Sequence, residues 1–142
     1  NIHKILTIVS LSVLLSSCVE NNNPEITVET IVKSNHSWND VLLEPYLEGQ
    51  PQVQILKYTI PPHYKLPEHK HPAMNAGIVT KGKLRVISTQ TNDTLIISKG
   101  EPIVELINTW HYGENISDEQ LEIIVFYAGV EGVPITVKRE DK

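Results

Sequence analysis

The sequence predicts an all-β protein, a sandwich or barrel built from many short strands. Short runs of β-branched and aromatic residues alternate with turn-forming residues at regular intervals between Val53 and Lys138. After Cys18, no apolar stripe with the period of a helix continues over the length of an ordinary helix. A chain of 142 residues with 40% hydrophobic content is sufficient for one domain with a single core.

The N-terminal segment, residues 1–17, has the layout of a secretory signal peptide. Lys4 provides a basic start, and the apolar run that follows is too short to span a bilayer as a stable helix. Leu15-Ser16-Ser17-Cys18 resembles a bacterial lipobox, which implies cleavage before Cys18 and attachment of lipid, including palmitate, to that residue. The alternatives are an ordinary signal-peptide cleavage site, or a buried strand that happens to hold a cysteine.

The lipobox resemblance also accounts for Cys18 being the only cysteine of the chain. A single thiol cannot form an intramolecular disulfide, so an exported domain that keeps one needs another use for it. The resemblance implies a lipoprotein of the bacterial cell envelope, anchored to a membrane at Cys18 on its extracytoplasmic side. Residues 18–25 are then the lipidated cysteine and a polar tether, and residues 26–142 form the domain.

The first strand of the domain is predicted at Ile26–Val32, where apolar and polar residues alternate. Trp38 and Tyr46 lie in turn-rich segments and are expected to cover one end of the core. A second strand is predicted at Val53–Ile60, with Leu56, Tyr58 and Ile60 facing inward. Further strands are predicted at Leu66–His71, Asn75–Thr80, Lys83–Thr89, Thr94–Ser98, Pro102–Ile107, His111–Ile116, Leu121–Tyr127 and Ile135–Lys138.

The Leu121–Tyr127 strand is apolar on both faces, which indicates a central strand or an oligomer interface. Together with the apolar Ile26–Val32 segment, it has more apolar surface than one small barrel needs, so a homodimer is expected. The formal net charge of −5 is not accompanied by a basic cluster, and this argues against a nucleic-acid partner.

The motif most informative about function is His69-Lys70-His71. On an extended strand, side chains two residues apart point to the same face, so both imidazoles are directed at one location. Two neutral imidazoles in that arrangement can chelate one divalent metal ion, and His111 is a candidate for the third donor. A histidine triad without metal is the alternative.

These residues and their spacing resemble the two motifs of the cupins. The first cupin motif has Gly, five residues, His-x-His, three or four residues, Glu, six residues and Gly. Here His63 stands at the first Gly position, His69 and His71 form the pair, Asn75 stands at the Glu position, and Gly82 closes the motif. The second cupin motif has Gly, five residues, Pro-x-Gly, two residues, His, three residues and Asn. Here those positions are occupied, in that order, by Gly100, Leu106, Asn108, His111 and Asn115.

The resemblance implies a jelly-roll (double-stranded β-helix) cupin barrel with a metal site formed by His69, His71, His111 and, as the fourth member, Asn75. The metal would be a divalent transition metal: Fe, Mn, Ni, Zn or Cu. His63 is expected in an exposed turn rather than at the metal, since histidine tolerates the left-handed backbone conformation better than β-branched residues do. The walls of the ligand pocket are expected among Tyr58, Trp110, Tyr112 and Tyr127, with core packing as the alternative.

Asn75 and Glu105 distinguish the possible activities. An amide at position 75 is a weaker donor than the usual carboxylate, which argues against a mechanism that uses that residue as a base. Glu105 shares the strand parity of His111 and is predicted as the catalytic base or a fourth ligand, the alternative being a surface carboxylate.

Three functions follow from the resemblance to cupins. The first is a dioxygenase-like enzyme acting on a small oxygen-rich molecule. The second is a metal-dependent isomerase or lyase acting on a sugar acid. The third is a non-catalytic module that binds a small molecule or a metal ion at the cell surface.

Overall fold

Two antiparallel β-sheets packed face to face form the domain in the computed structural model, which describes residues 24–140. The strands, in chain order, are β1 (Pro51–Ile60), β2 (His69–Lys70), β3 (Met74–Lys81), β4 (Lys83–Ser88), β5 (Thr94–Ser98), β6 (Pro102–Val104), β7 (His111–Asn115), β8 (Leu121–Val130) and β9 (Val137–Lys138). One sheet has the order β1-β8-β3-β6, and the other has the order β5-β4-β7-β2-β9.

The predicted all-β jelly roll is confirmed. The two sheets are hydrogen-bonded separately and do not close into a continuous barrel, so the fold is a flattened double-stranded β-helix. Within the described range 24–140, no helix is long and apolar enough to cross a membrane. Cys18 and the predicted signal peptide lie outside the described residues.

The core lies between the sheets, and β8 contributes its largest share. Leu121, Ile123, Val125 and Tyr127 alternate along β8 with more exposed neighbours, and all four are buried. β8 pairs with β1 along its whole length and with β3 on its other side, which confirms that it is a central strand. On β1, the predicted inward face is confirmed: Leu56, Tyr58 and Ile60 pack on the core.

The predicted first strand at Ile26–Val32 is wrong. This segment has no strand structure, and the side chains of Ile26 and Val28 are each 90% exposed. Alternation creates one apolar face, but a strand also needs a neighbour for its N–H and C=O groups. No strand of the described chain pairs with this segment.

Trp38 and Tyr46 have different environments, although both were expected to cover the core. The ring of Trp38 packs against the core, and its backbone N–H donates to the Val104 carbonyl at 2.9 Å. Tyr46 is 72% exposed, so its predicted covering role is wrong. A tyrosine in a turn-rich segment is buried only if the loop folds back on the core, and loop composition does not determine this.

Three predicted strands are shorter than expected by two residues or more. Leu66–His71 is reduced to β2, because Pro67 has no N–H to donate to a ladder. Pro102–Ile107 ends as β6 at Val104, and Ile135–Lys138 is reduced to β9. The shortened segments still lie beside the sheets. The Leu66 N–H donates to the Gly113 carbonyl, and His71 forms an isolated parallel bridge with Ile107.

His63 occupies the position where cupins have glycine and adopts a φ of 57°. This is the left-handed conformation that the turn requires, so the expectation that histidine could support this turn is confirmed. Gly82, which ends the first motif, has a φ of 78°. A Cβ atom there would approach the backbone at 3.0 Å, so glycine is required at Gly82 by both conformation and space.

Asn115 forms the hydrogen-bonding centre that joins the end of β1 to the loop before β8. Its fully buried side-chain amide shares two N–H groups among the carbonyl oxygens of Ile60, Pro61 and Glu119, which lie 3.1, 3.0 and 2.8 Å from the amide nitrogen. Its Oδ1 accepts bonds from the backbone N–H and the hydroxyl group of Ser117. One side chain therefore satisfies buried polar groups from two separate chain segments.

We expect Asn115→Ala to lower the free energy of unfolding by about 2 to 4 kcal/mol, because several buried polar groups lose their partner at about 1 kcal/mol each. Urea unfolding monitored by circular dichroism measures the change. Ser117→Ala is the matched control, since it removes only the hydroxyl at the same location and should cost about 1 kcal/mol or less. Equal losses in the two variants would contradict this role of Asn115.

Candidate metal centre

Three histidines from neighbouring segments converge at one end of the space between the sheets. His69 on β2 lies directly opposite His111 on β7, and His71 follows β2 on the same face. The ring centroids are 4.6 to 5.1 Å apart, and one nitrogen from each ring lies within 4.8 Å of the others. The predicted grouping of these three side chains is confirmed, and they are positioned to hold one metal ion.

Each imidazole is oriented by a hydrogen bond to the backbone through its Nδ1 atom. The acceptors for His69, His71 and His111 are the carbonyl oxygens of Pro67, Ile135 and Thr109, at 2.8, 2.9 and 2.7 Å. A carbonyl can only accept, so Nδ1 must carry the proton and Nε2 keeps its lone pair. This is the usual way in which proteins orient metal-binding histidines.

Burial keeps the three imidazoles neutral. It lowers the pKa of His69 and His111, and it lowers the pKa of His71 to about 3. A metal ion binds the neutral form, so protons do not compete with it near pH 7. The Nε2 atom of His111 is buried and has no hydrogen-bond partner among the described residues, which fits a metal ligand.

Glu105 follows β6 and lies beside these histidines, which is one of the two placements that the sequence left open. Its Oε2 atom is 3.7 Å from Nε2 of His111, and the residue is buried. Burial raises the pKa of Glu105 to about 7. A carboxyl group that gains and loses its proton near neutral pH is suited to act as a general base or acid. The alternative of a surface carboxylate is wrong.

Asn75 lies on β3 directly opposite Tyr127 of β8, so the two side chains share a face of the sheet. The Tyr127 ring packs edge-on to His71 with ring centroids 5.6 Å apart. The amide nitrogen of Asn75 donates to the Ala73 carbonyl, while its buried Oδ1 has no hydrogen-bond partner among the described residues. Asn75 does not line the cavity that the histidines border, and its buried Oδ1 without a partner is the observation that fits a fourth ligand.

The histidines and Glu105 border a cavity of about 180 Å³ between the sheets. Of the four predicted wall residues, Tyr58 and Tyr127 line it, and their hydroxyl oxygens are 3.0 Å apart. Trp110 and Tyr112 instead pack outside the cavity, beneath lysine side chains. Tyr112 follows the inward-facing His111, so strand alternation directs it to the outer face.

Sequence reasoning missed the contribution of the segment that includes β9. Ile135 supplies the carbonyl that orients His71, Thr136 approaches the same imidazole at 3.2 Å, and Lys138 lines the cavity. The sequence carries no signal for these roles, because residues 135–138 reach the site only through the pairing of β9 with β2.

Comparison with known proteins identifies the family of this fold. The cupin domain model matches residues 56–127, just over half of the chain, and the protein belongs to the cupin family. No curated protein matches the sequence significantly.

Three solved structures represent the structural matches. An oxalate oxidase in complex with glycolate is 25% identical, with 61% of this chain and 45% of that chain covered and a TM-score of 0.53. An oxalate decarboxylase formate complex from Lactobacillus farciminis is 20% identical, with 63% and 27% covered and a TM-score of 0.53. A conserved protein with a double-stranded β-helix domain from Klebsiella pneumoniae is 12% identical, with 82% and 100% covered and a TM-score of 0.54.

The oxalate decarboxylase and the Klebsiella pneumoniae protein are too distant in sequence to show more than a shared fold. This chain spans less than half the length of the oxalate oxidase.

We expect His71→Ala to lower the metal content sharply. Mutating a residue that only supports a metal ligand typically weakens metal affinity by about 10–100-fold, and loss of a ligand itself should weaken it further. His63→Ala is the control. His63 is exposed, contacts Asp118 at 2.8 Å and lies in a turn away from the triad, so its removal should leave the metal content unchanged. Elemental analysis of protein purified without chelator measures both. Equal metal content in the two variants would contradict the site.

The same measurements test Asn75. If Oδ1 is a ligand, Asn75→Glu should retain metal against a higher chelator concentration, because a carboxylate brings negative charge to a poorly solvated cation. Retention no better than that of the parent protein would remove position 75 from the ligand set.

Proposed function

We propose that the protein is a metal-dependent, dioxygenase-like enzyme that acts on a small oxygen-bearing molecule. The observation that carries metal-dependent catalysis is Glu105, a buried carboxyl group 3.7 Å from the free Nε2 atom of His111 at the edge of a cavity. A carboxyl group at this position can serve a bound ion as a general base or as a fourth ligand. Burying one costs free energy, and groups of this kind cluster at functional sites.

In this proposal His69, His71 and His111 hold the ion, and Asn75 completes the set. A bound divalent transition metal, such as Fe, Mn, Ni, Zn or Cu, would supply Lewis acidity and, if redox-active, reactivity with oxygen. Glu105 takes a proton from the substrate as general base, and the charge of a bound ion would favour the ionised form that this role requires. The Tyr58 and Tyr127 hydroxyl groups bond to each other at 3.0 Å, which leaves one hydroxyl hydrogen of the pair to donate to a substrate oxygen.

The oxalate oxidase match supports oxidative chemistry as the first candidate, since it is 25% identical with a TM-score of 0.53. The second candidate is a metal-dependent isomerase or lyase. It is favoured by Glu105, because proton abstraction next to a carbonyl needs one buried base and no oxidant. The open cavity argues against a purely structural role.

The deciding experiment is a substrate screen with metal-loaded protein, in air and under nitrogen. Turnover that requires air supports the dioxygenase-like reaction, and equal turnover under nitrogen supports an isomerase or lyase. Metal and ligand binding without any turnover would contradict both and leave the non-catalytic binding module.

We expect Glu105→Gln to lower kcat by about 100-fold or more, while the metal content stays near that of the parent protein, because the histidine ligands are intact. Glu131→Gln, at an exposed position after β8, is the matched control and should leave kcat unchanged. Undiminished turnover in Glu105→Gln would show that this carboxyl group is not the base.

We also propose that the mature protein is attached to a bacterial membrane through lipid at Cys18, in the cell envelope. The lipobox-like sequence before Cys18 and the absence of any other cysteine support the proposal.

Cys18→Ser should either accumulate as an unprocessed precursor or leave the membrane fraction. Fractionation and immunoblotting of cells that express the full chain measure this outcome. A mature-sized serine variant that stays on the membrane would contradict the anchor.

We further propose a homodimer formed through the outer face of the β1-β8-β3-β6 sheet. Ile55 and Phe126 are direct cross-strand partners on this face and are 66% and 44% exposed, with Val53 and Ile124 beside them. A contiguous apolar surface of this kind is typical of an interface.

Ile55→Glu should convert the dimer to a monomer in sedimentation at micromolar concentration, because a dimer would bury the added charge at its interface. Gln52→Glu, on the same strand but with opposite side-chain parity, is the control and should remain dimeric. A parent protein that sediments as a monomer would contradict the interface.

A further inference from the structure

Lys138 provides a positive charge beside the metal ligands that the proposed chemistry does not use. It lies on β9 directly opposite His69, so both side chains share one face of the sheet. Lys138 lines the cavity, is exposed at its mouth, and forms no ion pair within residues 24–140. Its neighbour Val137 pairs with Lys70 on the opposite face.

The backbone that carries Lys138 is held on both sides. The Arg139 N–H donates to the Glu68 carbonyl at 3.0 Å, and the Arg139 guanidinium contacts the Glu68 carboxylate at 2.7 Å. On the other side, the Ile135 carbonyl accepts the bond from His71. The backbone of Lys138 is therefore fixed relative to the histidines, which limits where its side chain can reach.

The interior of the cavity has a different character from its mouth. The other walls are mainly aliphatic, apart from the paired Tyr58 and Tyr127 hydroxyl groups and Thr136, and they include Ile60, Leu66, Leu84, Val86, Ile123 and Val125. An apolar protein cavity of about 150 Å³ is large enough to bind benzene. A volume of about 180 Å³ therefore accommodates an apolar group of that size.

The charges at the mouth select the ligand's polar end. Three neutral imidazoles, a divalent ion, Lys138 and an ionised Glu105 sum to a positive site, which favours an anion and disfavours an amine. A carboxylate can reach both the ion and an ammonium group with its two oxygens. A second carboxylate would have to lie against the apolar walls, where it would lose its hydration without a partner.

We propose that the ligand of this site is a monocarboxylate with an apolar body about the size of benzene. Its carboxylate lies between the metal ligands and Lys138, and its apolar body fills the space between the sheets. This inference rests on the proposed function, because it uses the same metal site, and it makes Lys138 a specificity-determining residue.

The test measures binding to the full chain loaded with zinc, so that no turnover is needed. Isothermal titration calorimetry compares benzoate with acetate, benzyl alcohol and oxalate. We expect benzoate to bind at least about tenfold more tightly than each of the others, because only benzoate has both the charge and the apolar body.

Lys138→Met should weaken benzoate binding by about tenfold and leave the affinity for benzyl alcohol unchanged, because only the carboxylate uses the ammonium group. Lys70→Met is the matched control. Lys70 lies on the neighbouring strand on the opposite face, with its Nζ 5.0 Å from the centre of the Trp110 ring, so the variant should bind benzoate like the parent protein.

The outcomes separate this inference from the proposed function. Failure of the parent chain to take up zinc would overturn both. Zinc uptake with benzoate bound no more tightly than acetate or oxalate would overturn the monocarboxylate proposal alone. Unchanged benzoate affinity in Lys138→Met, with zinc content equal to that of Lys70→Met, would overturn the role of Lys138.

Discussion

The pairing of His69 with His111 across β2 and β7 is the constraint on which the site depends. Two short strands bring these residues opposite each other, and alternation along the chain adds His71 to the same face. Backbone carbonyls then take the Nδ1 protons, which leaves the Nε2 atoms available on the cavity side. A shift of one residue in this register would turn His111 away and direct Tyr112 inward instead.

The site concentrates ionisable groups where water is scarce. Burial lowers the pKa of each imidazole and raises that of Glu105, so both kinds of group favour their uncharged forms. This environment suits a cation centre, because neutral imidazoles are the form that binds metal. A nearby divalent charge would favour the ionised form of Glu105 and so couple its proton to occupancy of the site.

The cavity joins two environments that meet at the histidines. Its inner walls are aliphatic side chains from both sheets, while its mouth carries Lys138 and the ligand set. The Tyr58 and Tyr127 hydroxyl groups are hydrogen-bonded to each other, so the polar atoms they add to the cavity are paired. The oxygen-rich part of a substrate, which the family resemblance implied, would contact the mouth, and the apolar body of the ligand proposed above would fill the interior.

The sequence by itself determined the fold class, the inward face of β1, and the histidine set. These depend on local alternation and on spacing, which strand geometry converts directly into facing side chains. The sequence misjudged Ile26–Val32 and Tyr46, because alternation and composition do not specify a partner. Tertiary structure alone decided that Glu105 is buried against His111 and that Lys138 stands beside His69. The reason is that each of these contacts joins chain segments whose proximity depends on how the strands pair, and residue spacing carries no record of that pairing.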